Sequence, residues 1–161
     1  KQNGHEGGAR THLMAHWPNG IKAPGICWDV AHLVDFMPTF LELAGATYPA
    51  LQDGQPTPAL DGQSLMPLFK GQTRPDHDIL ITGWMEKYRA VRMGDWKAVR
   101  NNSTWELYNL ETDRTELNDL AAKDPDRAKA MAERWEAWAV EAKAKPWPWG
   151  GKKKKKTKPK K

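Results

Sequence analysis

The sequence predicts a mixed α/β chain in which a small antiparallel sheet is packed by one long helix. Four short runs rich in β-branched and aromatic residues follow one another between residues 79 and 110, as in a sheet of neighbouring strands. Beyond them, apolar residues recur at helical spacing in the segment from Asp124 to about Ala144. Nine tryptophans and a hydrophobic content of 39% indicate a folded core over most of the 161 residues.

The first twenty residues predict a loop, a strand and a turn. Gly4, Gly7 and Gly8 indicate a tight loop over the first ten residues, because adjacent glycines allow backbone conformations that are closed to other residues. The run from Thr11 to Trp17 is typical of a strand. Pro18-Asn19-Gly20 then predicts a turn.

A helix is predicted next, because apolar residues recur at helical spacing from Val30 to Ala44 and Gly45 is placed to end it. Proline is tolerated in the first turn of a helix, so Pro38 predicts that the regular helix begins close to Asp35. Residues 46–62 contain three prolines and two glycines and therefore predict a connecting loop. We place a domain boundary there, at about residue 60.

The sheet is predicted from four runs separated by turn residues. The runs are Ile79 to Trp84, Tyr88 to Met93, Trp96 to Arg100 and Trp105 to Leu110. Gly94-Asp95 predicts a hairpin turn between the second and the third. The alternation predicts Trp84, Trp96 and Trp105 in the core and Arg89 and Arg92 on a solvated face.

The long helix has a strong start signal. Asp124 is placed to accept hydrogen bonds from free amides, Pro125 suits the first helical position and Asp126 suits the helix dipole. The apolar face, which includes Trp135 and Trp138, is predicted to cover the sheet. Trp147 and Trp149 each follow a proline and are expected to dock as an extended segment.

The net charge of +5 is a property of the last ten residues. Eight lysines lie in residues 152–161, and without them the net charge falls from +5 to −3. Such a block is typical of a solvated arm, so residues 150–161 predict a disordered tail. No specific nucleic-acid binding is expected, and the tail predicts at most a weak attraction to polyanions. Cys27 is the only cysteine, and no apolar run approaches the roughly 20 residues needed to cross a bilayer.

The segment that follows Lys1 is the candidate site. Its glycines suit a loop that holds a lysine against an anion, although the pattern alone favours a surface lysine ahead of a turn. Five segments then resemble the sulfatase family, in the order in which that family has them. They are Lys1 with Glu6-Gly7-Gly8-Ala9-Arg10 and Trp17-Pro18, Asp35 to Gly45, Asp61 to Leu65, Arg89 to Lys97, and Glu106 to Leu110. The resemblance covers roughly residues 1–122 and is to the arylsulfatases of this family.

The resemblance implies a hydrolase of sulfate esters, in which a formylglycine attacks sulfur while a calcium ion and basic residues hold the sulfate oxygens. Lys1 would be one of those basic residues and is the one catalytic and substrate-binding candidate. The implied substrate is a sulfated small molecule or carbohydrate. The implied fold is the end of an α/β catalytic domain, residues 1–60, followed by an α+β subdomain, residues 61–149. The resemblance also implies export to the periplasm or the cell exterior.

Several departures limit what this chain supplies. The formylglycine signature, a Cys or Ser followed by x-Pro-x-Arg, is missing, and the sequence after Cys27 does not match it. The metal ligands of the family belong upstream of the lysine loop, so no calcium ligand is assigned here, and the chain alone is expected to be inactive. Met85 and Tyr88 stand where many relatives carry His and Asn, which leaves the substrate open.

Two alternatives remain from the sequence: a phosphate or phosphonate monoesterase of the same superfamily, and a non-catalytic module whose basic tail binds polyanions. His12 and His16 are expected to face one surface of a strand rather than to bind a metal. His5 is predicted to pack rather than to contact substrate. Arg10 is predicted to form a structural salt bridge.

Overall fold

The computed structural model of the chain describes residues 3–84, 88–101 and 103–144. Its elements, in chain order, are α1 (Glu6–Ala9), a 3₁₀ turn (Leu33–Asp35), α2 (Phe36–Ala44), β1 (Leu51–Gln52), β2 (Gln55–Pro56), α3 (Met66–Phe69), β3 (Leu80–Trp84), β4 (Tyr88–Met93), β5 (Trp96–Asn101), β6 (Thr104–Asn109) and α4 (Pro125–Glu141). The predicted mixed α/β class, with a small antiparallel sheet and a C-terminal helix, is confirmed.

The chain divides into two compact units. Unit 1 comprises the described residues of Lys1–Thr11 and Ile81–Lys161, and unit 2 comprises His12–Leu80. The predicted domain ranges, 1–60, 61–149 and 150–161, concern the longer protein and stay predictions. Trp147, Trp149 and the lysine tail lie outside the described residues.

Unit 1 contains a four-stranded sheet in which the strand order follows the sequence, β3-β4-β5-β6. β4 and β5 are antiparallel and pair from Tyr88 with Asn101 to Met93 with Trp96. β5 and β6 continue the antiparallel pattern. Gly94 has a φ of 58°, which suits a residue without a side chain, so the hairpin turn predicted at Gly94-Asp95 is confirmed.

Helix α4 begins as its sequence predicts. The side chain of Asp124 accepts a hydrogen bond of 3.1 Å from the Arg127 N–H, and Pro125 takes the first helical position. The buried side chains of the helix are Ala128, Met131, Trp135 and Ala139, which repeat at helical spacing. The helix ends at Glu141, slightly before the predicted end at Ala144.

The solvated position predicted for Arg89 is wrong. Arg89 is buried, its guanidinium lies 4.3 Å above the ring of Trp135, and it forms an ion pair with Glu136 of α4. Helix α4 therefore covers the face on which Arg89 lies, because side chains alternate along a strand. Trp96 and Trp105 lie on the same face and are half-buried rather than central to the core. The side chain of Trp84 lies outside the described residues.

Unit 2 confirms the predicted helix and corrects the predicted strand. Gly45 ends α2 with a φ of 61° and donates from its N–H to the Glu42 carbonyl. The turn after Trp17 is present, with the Gly20 N–H 3.0 Å from the Trp17 carbonyl. The segment from Thr11 to Trp17 is exposed and extended but forms no strand, because no other part of the described chain pairs with it. The loop predicted over residues 46–62 contains the short hairpin β1-β2, which sequence reasoning missed.

Asp35 is the polar centre of unit 2, with an exposed fraction of 0%. Its carboxylate lies 2.9 Å from the guanidinium of Arg74 and 2.9 Å from the imidazole of His77. Burial alone would raise the pKa of Asp35. Hydrogen bonds from the N–H groups of Gln63 and His32 and from the two side chains outweigh that effect and lower the pKa from 3.8 to about 2.

The outward face of α2 and the turn before it is apolar. Leu33, Met37, Phe40 and Leu43 are 72%, 53%, 61% and 44% exposed. These residues are spaced three or four apart, so their side chains are neighbours on one side of the helix.

Among the described residues, no helix has the length and the apolar character that crossing a membrane requires.

Candidate functional site

The segment from Asn3 to Arg10 lies on the face of the sheet opposite α4. Its residues contact Ala90 and Val99, which pair across β4 and β5 and alternate with the residues that face the helix. The sheet of unit 1 is therefore covered on one side by α4 and on the other by this segment, which we call the N-terminal segment. Lys1 and Gln2 lie outside the described residues, so the role predicted for Lys1 stays a prediction.

The tight loop predicted for this segment is instead a one-turn helix. The N–H groups of Gly8 and Ala9 donate to the His5 carbonyl at 2.8 and 2.9 Å, and Arg10 donates to Glu6. Gly4 and Gly8 are needed for close approach rather than for unusual backbone angles, whereas a Cβ added at Gly7 would meet nothing within 4 Å. A Cβ added at Gly4 would lie 3.0 Å from the Cβ of Ala90, and one added at Gly8 would lie 2.5 Å from the Asn3 carbonyl oxygen.

His5 packs into a polar contact with the sheet, in agreement with the structural role predicted for it. Its Nε2 lies 2.6 Å from Oε2 of Glu106, and its ring meets the edge of Tyr108 at 5.9 Å between centroids. The hydroxyl of Tyr108 donates to the same carboxylate oxygen at 3.1 Å. Burial, and then the hydrogen bond to Glu106, raise the pKa of Tyr108 above its ordinary value.

Three charged residues join the N-terminal segment to the sheet and to the loop after it. The ammonium of Lys97 lies 2.6 Å from Glu6 and 2.9 Å from Glu116. The side chains of Lys97 and Glu116 are 4% and 2% exposed. The backbone N–H of Glu6 also donates to Glu116, at 2.5 Å. We call Glu6, Lys97 and Glu116 the ionic anchor.

Sequence reasoning missed the ionic anchor. Glu6 and Lys97 belong to segments that carry the family resemblance, but their pairing across 91 positions has no local signal. Glu116 belongs to no predicted element. Its φ of 58° is unusual for a residue with a side chain, and nothing in the sequence marks it.

A cavity of about 240 Å³ lies beside the N-terminal segment. It is lined by Asn3, Gly4, Gly8, Ala9, Thr82, Gly83 and Tyr88. The hydroxyl oxygen of Thr82 is buried and has no hydrogen-bond partner within the described ranges. Thr82, Asn3 and Tyr88 are the residues with polar side chains among those that line the cavity.

The remaining predicted residues are not gathered at this cavity. Arg10 is exposed and forms no ion pair in the described part of the chain, and the salt bridge predicted for it stays a prediction. His12 and His16 belong to unit 2 and are exposed, and they do not share a strand face because the strand is not formed. Tyr88 lines the cavity, whereas Met85 lies outside the described residues.

The fold and this segment define the chain as the C-terminal portion of a sulfatase-type protein. A family model described as "N-sulphoglucosamine sulphohydrolase, C-terminal" matches residues 1–141. The chain belongs to this family.

Individual relatives agree with this family membership. The chain is 30% identical over 143 residues to an uncharacterised sulfatase of Schizosaccharomyces pombe, with 84% of this chain and 26% of that protein covered. It is 37% identical over 98 residues to arylsulfatase A of Bos taurus, with 58% of this chain and 18% of that protein covered. The chain thus spans about a quarter or less of the length of these relatives.

A solved structure supports the fold. It is described under the metabolism of multiple glycosaminoglycans by Bacteroides thetaiotaomicron and matches 66% of this chain and 24% of its own chain. The TM-score is 0.52 and the sequence identity is 19%, so the likeness bears on the fold alone.

Proposed function

We propose that the longer protein to which this chain belongs hydrolyses sulfate esters and that Lys1 binds the sulfate group. The observation that carries the proposal is the fixed position of the N-terminal segment. Asn3 and Gly4, which follow Lys1 closely, line the cavity of unit 1, and Glu6 is held by buried charges. A lysine two residues before Asn3 is therefore close in the chain to a concave surface.

Lysine suits this role chemically. Its ammonium is a compact charge on a flexible stem and can pair with sulfate oxygens in several geometries. During hydrolysis, negative charge develops on the bridging oxygen as the S–O bond breaks. A positioned cation stabilises that charge more strongly than it stabilises the bound ester, which is what accelerates the reaction.

The formylglycine nucleophile and the calcium ion would come from the region upstream of Lys1. Within residues 3–84, 88–101 and 103–144, no three His, Cys, Asp or Glu side chains come together as metal ligands do. No step is assigned to a metal bound by these residues. The isolated chain is expected to lack turnover.

The proposed substrate is a sulfated carbohydrate or a sulfated small molecule. The family takes its name from a sulphohydrolase of N-sulphoglucosamine, which is a sulfated amino sugar. Asn3 and Tyr88, two of the residues that line the cavity, carry polar side chains of the kind that form hydrogen bonds to sugar hydroxyls. Export of the protein is proposed from the family resemblance. A weak attraction of its lysine tail to polyanions is proposed from the charge of the tail.

The test is Lys1→Ala in the full-length protein, with turnover measured on an aryl sulfate and an aryl phosphate in parallel. We expect kcat on the aryl sulfate to fall by about 100-fold or more, as when one preorganised donor is removed from an active site. Lys129→Ala is the matched control. That lysine is exposed on α4 and lies 3.9 Å from Glu133, so its loss should leave turnover unchanged.

Unchanged turnover in Lys1→Ala would remove the assignment of Lys1. A full-length protein that turns over the aryl phosphate much faster than the aryl sulfate would show that the phosphate or phosphonate monoesterase is the correct alternative. Deleting residues 152–161 should leave turnover on the small aryl sulfate intact, because the reaction does not depend on the tail.

A further inference from the structure

We propose that Lys97 is a positioning residue that holds the N-terminal segment against the sheet and thereby restricts the positions open to Lys1, which precedes that segment in the chain. The inference rests on the proposed function for its effect on turnover, but the structural part stands on the described contacts. Lys97 is the second residue of β5 and lies on the face that the N-terminal segment covers. No side chain in that segment other than Glu6 forms an ion pair with it.

The burial of Lys97 explains why the segment is held firmly. An ammonium that is 4% exposed has lost most of its hydration, and it stays charged in such a place only when carboxylates compensate it. Glu6 supplies one carboxylate from the N-terminal segment and Glu116 supplies the other from the loop after β6. If the N-terminal segment left the sheet, Lys97 would lose Glu6 and keep only Glu116 as a partner. The ion pair between Lys97 and Glu6 therefore favours the position of the segment on the sheet.

Glu116 adds a second restraint on the same segment. One carboxylate oxygen accepts the backbone N–H of Glu6, while the other lies against the ammonium of Lys97. Glu116 therefore binds both the N-terminal segment, through Glu6, and the sheet, through Lys97. Its backbone is left-handed, with a φ of 58°, and such a conformation persists only where the surroundings favour it.

Glu6, the member of the ionic anchor that belongs to the N-terminal segment, follows Lys1 by only five residues, so little chain separates the two. Helix α1 begins at Glu6, and Gly4 packs on Ala90 and Val99 just before it. A displacement of Glu6 would thus move the backbone that leads to Lys1. A misplacement of about 1 Å at a reacting group costs on the order of 100-fold in rate.

The experiment uses the full-length protein with two variants, Lys97→Met and Glu6→Gln. Lys97→Met removes the central charge, and Glu6→Gln is the milder change because it keeps the shape and leaves Lys97 paired with Glu116. Hydrogen exchange of the amides of residues 3–10 is measured first. We expect exchange at least about tenfold faster than in the wild type in both variants, because the segment opens locally when its restraint is lost.

Arg89→Met is the matched control. Arg89 is likewise a buried cation on the opposite face of the sheet, and it forms an ion pair with the more exposed Glu136 of α4. Its replacement should speed exchange in α4 and β4 while residues 3–10 change much less. Equal acceleration of residues 3–10 in Lys97→Met and Arg89→Met would show general loosening of the sheet and would overturn the inference.

Turnover on an aryl sulfate is measured second, in a double-mutant cycle of Lys1→Ala and Lys97→Met. If Lys97 acts through Lys1, the double variant should lose no more kcat/KM than Lys1→Ala alone, because the anchor has nothing left to position. Losses that multiply would overturn a positioning role through Lys1. Fast exchange of residues 3–10 together with normal turnover in Lys1→Ala would support the anchor and reject the proposed function of Lys1.

Discussion

Asp35 shows how one enclosed charge holds together three separate segments of unit 2. Its carboxylate binds Arg74 and His77 and accepts hydrogen bonds from the backbone of Gln63 and His32. The same Arg74 donates to the carbonyls of Val30 and Gln63. Neutralising Asp35 therefore weakens a network that spans residues 30–77.

The stability of unit 2 should depend on pH through Asp35. Its pKa is lowered from 3.8 to about 2, so the stabilisation is fully present above about pH 4 and is lost as the pH falls through about 2. A shift of this size corresponds to about 2 kcal/mol. We expect Asp35→Asn to be less stable than the wild type at pH 6 by at least this amount, and the difference to shrink by about 2 kcal/mol by pH 2.

Urea denaturation of both proteins between pH 6 and pH 2 measures this difference. Asp61→Asn serves as the control, because Asp61 is exposed and its replacement should leave the stability within about 0.5 kcal/mol of the wild type. A stability difference between wild type and Asp35→Asn that stays constant with pH would contradict the prediction.

At the scale of elements, α4 depends on its first turn as well as on its apolar face. Asp124 accepts from the N–H of Arg127 at 3.1 Å and contacts its side chain at 2.7 Å. Asp124→Ala should lower the free energy of unfolding by about 1 kcal/mol, because an orphan N–H at the helix start loses its acceptor. Thermal unfolding followed by far-UV circular dichroism measures this.

Asp124→Asn separates capping from charge. Asparagine caps helices about as well as aspartate, so this variant should retain more than half of the stability that Asp124→Ala loses. Equal losses in the two variants would show that the ion pair with Arg127, rather than the cap, stabilises the start of α4.

The elements were largely predictable because their signals are local. The alternation of residues predicted β4 with the bounds that the structure has, Tyr88 to Met93. Asp124-Pro125 likewise predicted the start of α4. The one-turn helix α1 was missed because its glycines are typical of loops, and it forms only where the sheet offers a surface to pack on. The exposure predicted for Arg89 was wrong because alternation does not say which face α4 covers.

At the scale of the whole molecule, the apolar face of α2 should govern how the isolated chain associates. Met37 and Phe40 are more than half exposed, and contiguous exposed apolar surface favours association. Met37→Lys with Phe40→Lys should lower the fraction of associated chain and the binding of a hydrophobic dye. The free energy of unfolding should change by less than about 1 kcal/mol, because neither side chain is buried.

Sedimentation velocity at several concentrations measures the association. Val140→Lys is the control, since Val140 is 76% exposed on α4 and lies outside the apolar face of α2. A monomeric wild-type chain at all concentrations would contradict the prediction.

The candidate site was the least predictable part at this scale. Family resemblance pointed to the residues after Lys1, but not to what holds them. The contacts that do so join residues 91 to 110 positions apart, and patterns of three or four residues carry no information on such pairs. Buried charges such as Lys97 and Glu116 also have the same sequence signature as charges on the surface.

The docking of the N-terminal segment on the sheet also constrains the order of events during biosynthesis. His5 contacts Glu106, which follows it by 101 residues. The segment therefore leaves the ribosome well before the strands on which it packs have been synthesised. At a translation rate of about 5–20 residues per second, the synthesis of Glu106 follows that of His5 by roughly 5–20 s. His12–Leu80 is synthesised within that interval, so the N-terminal segment reaches its native neighbours only after unit 2 has been made.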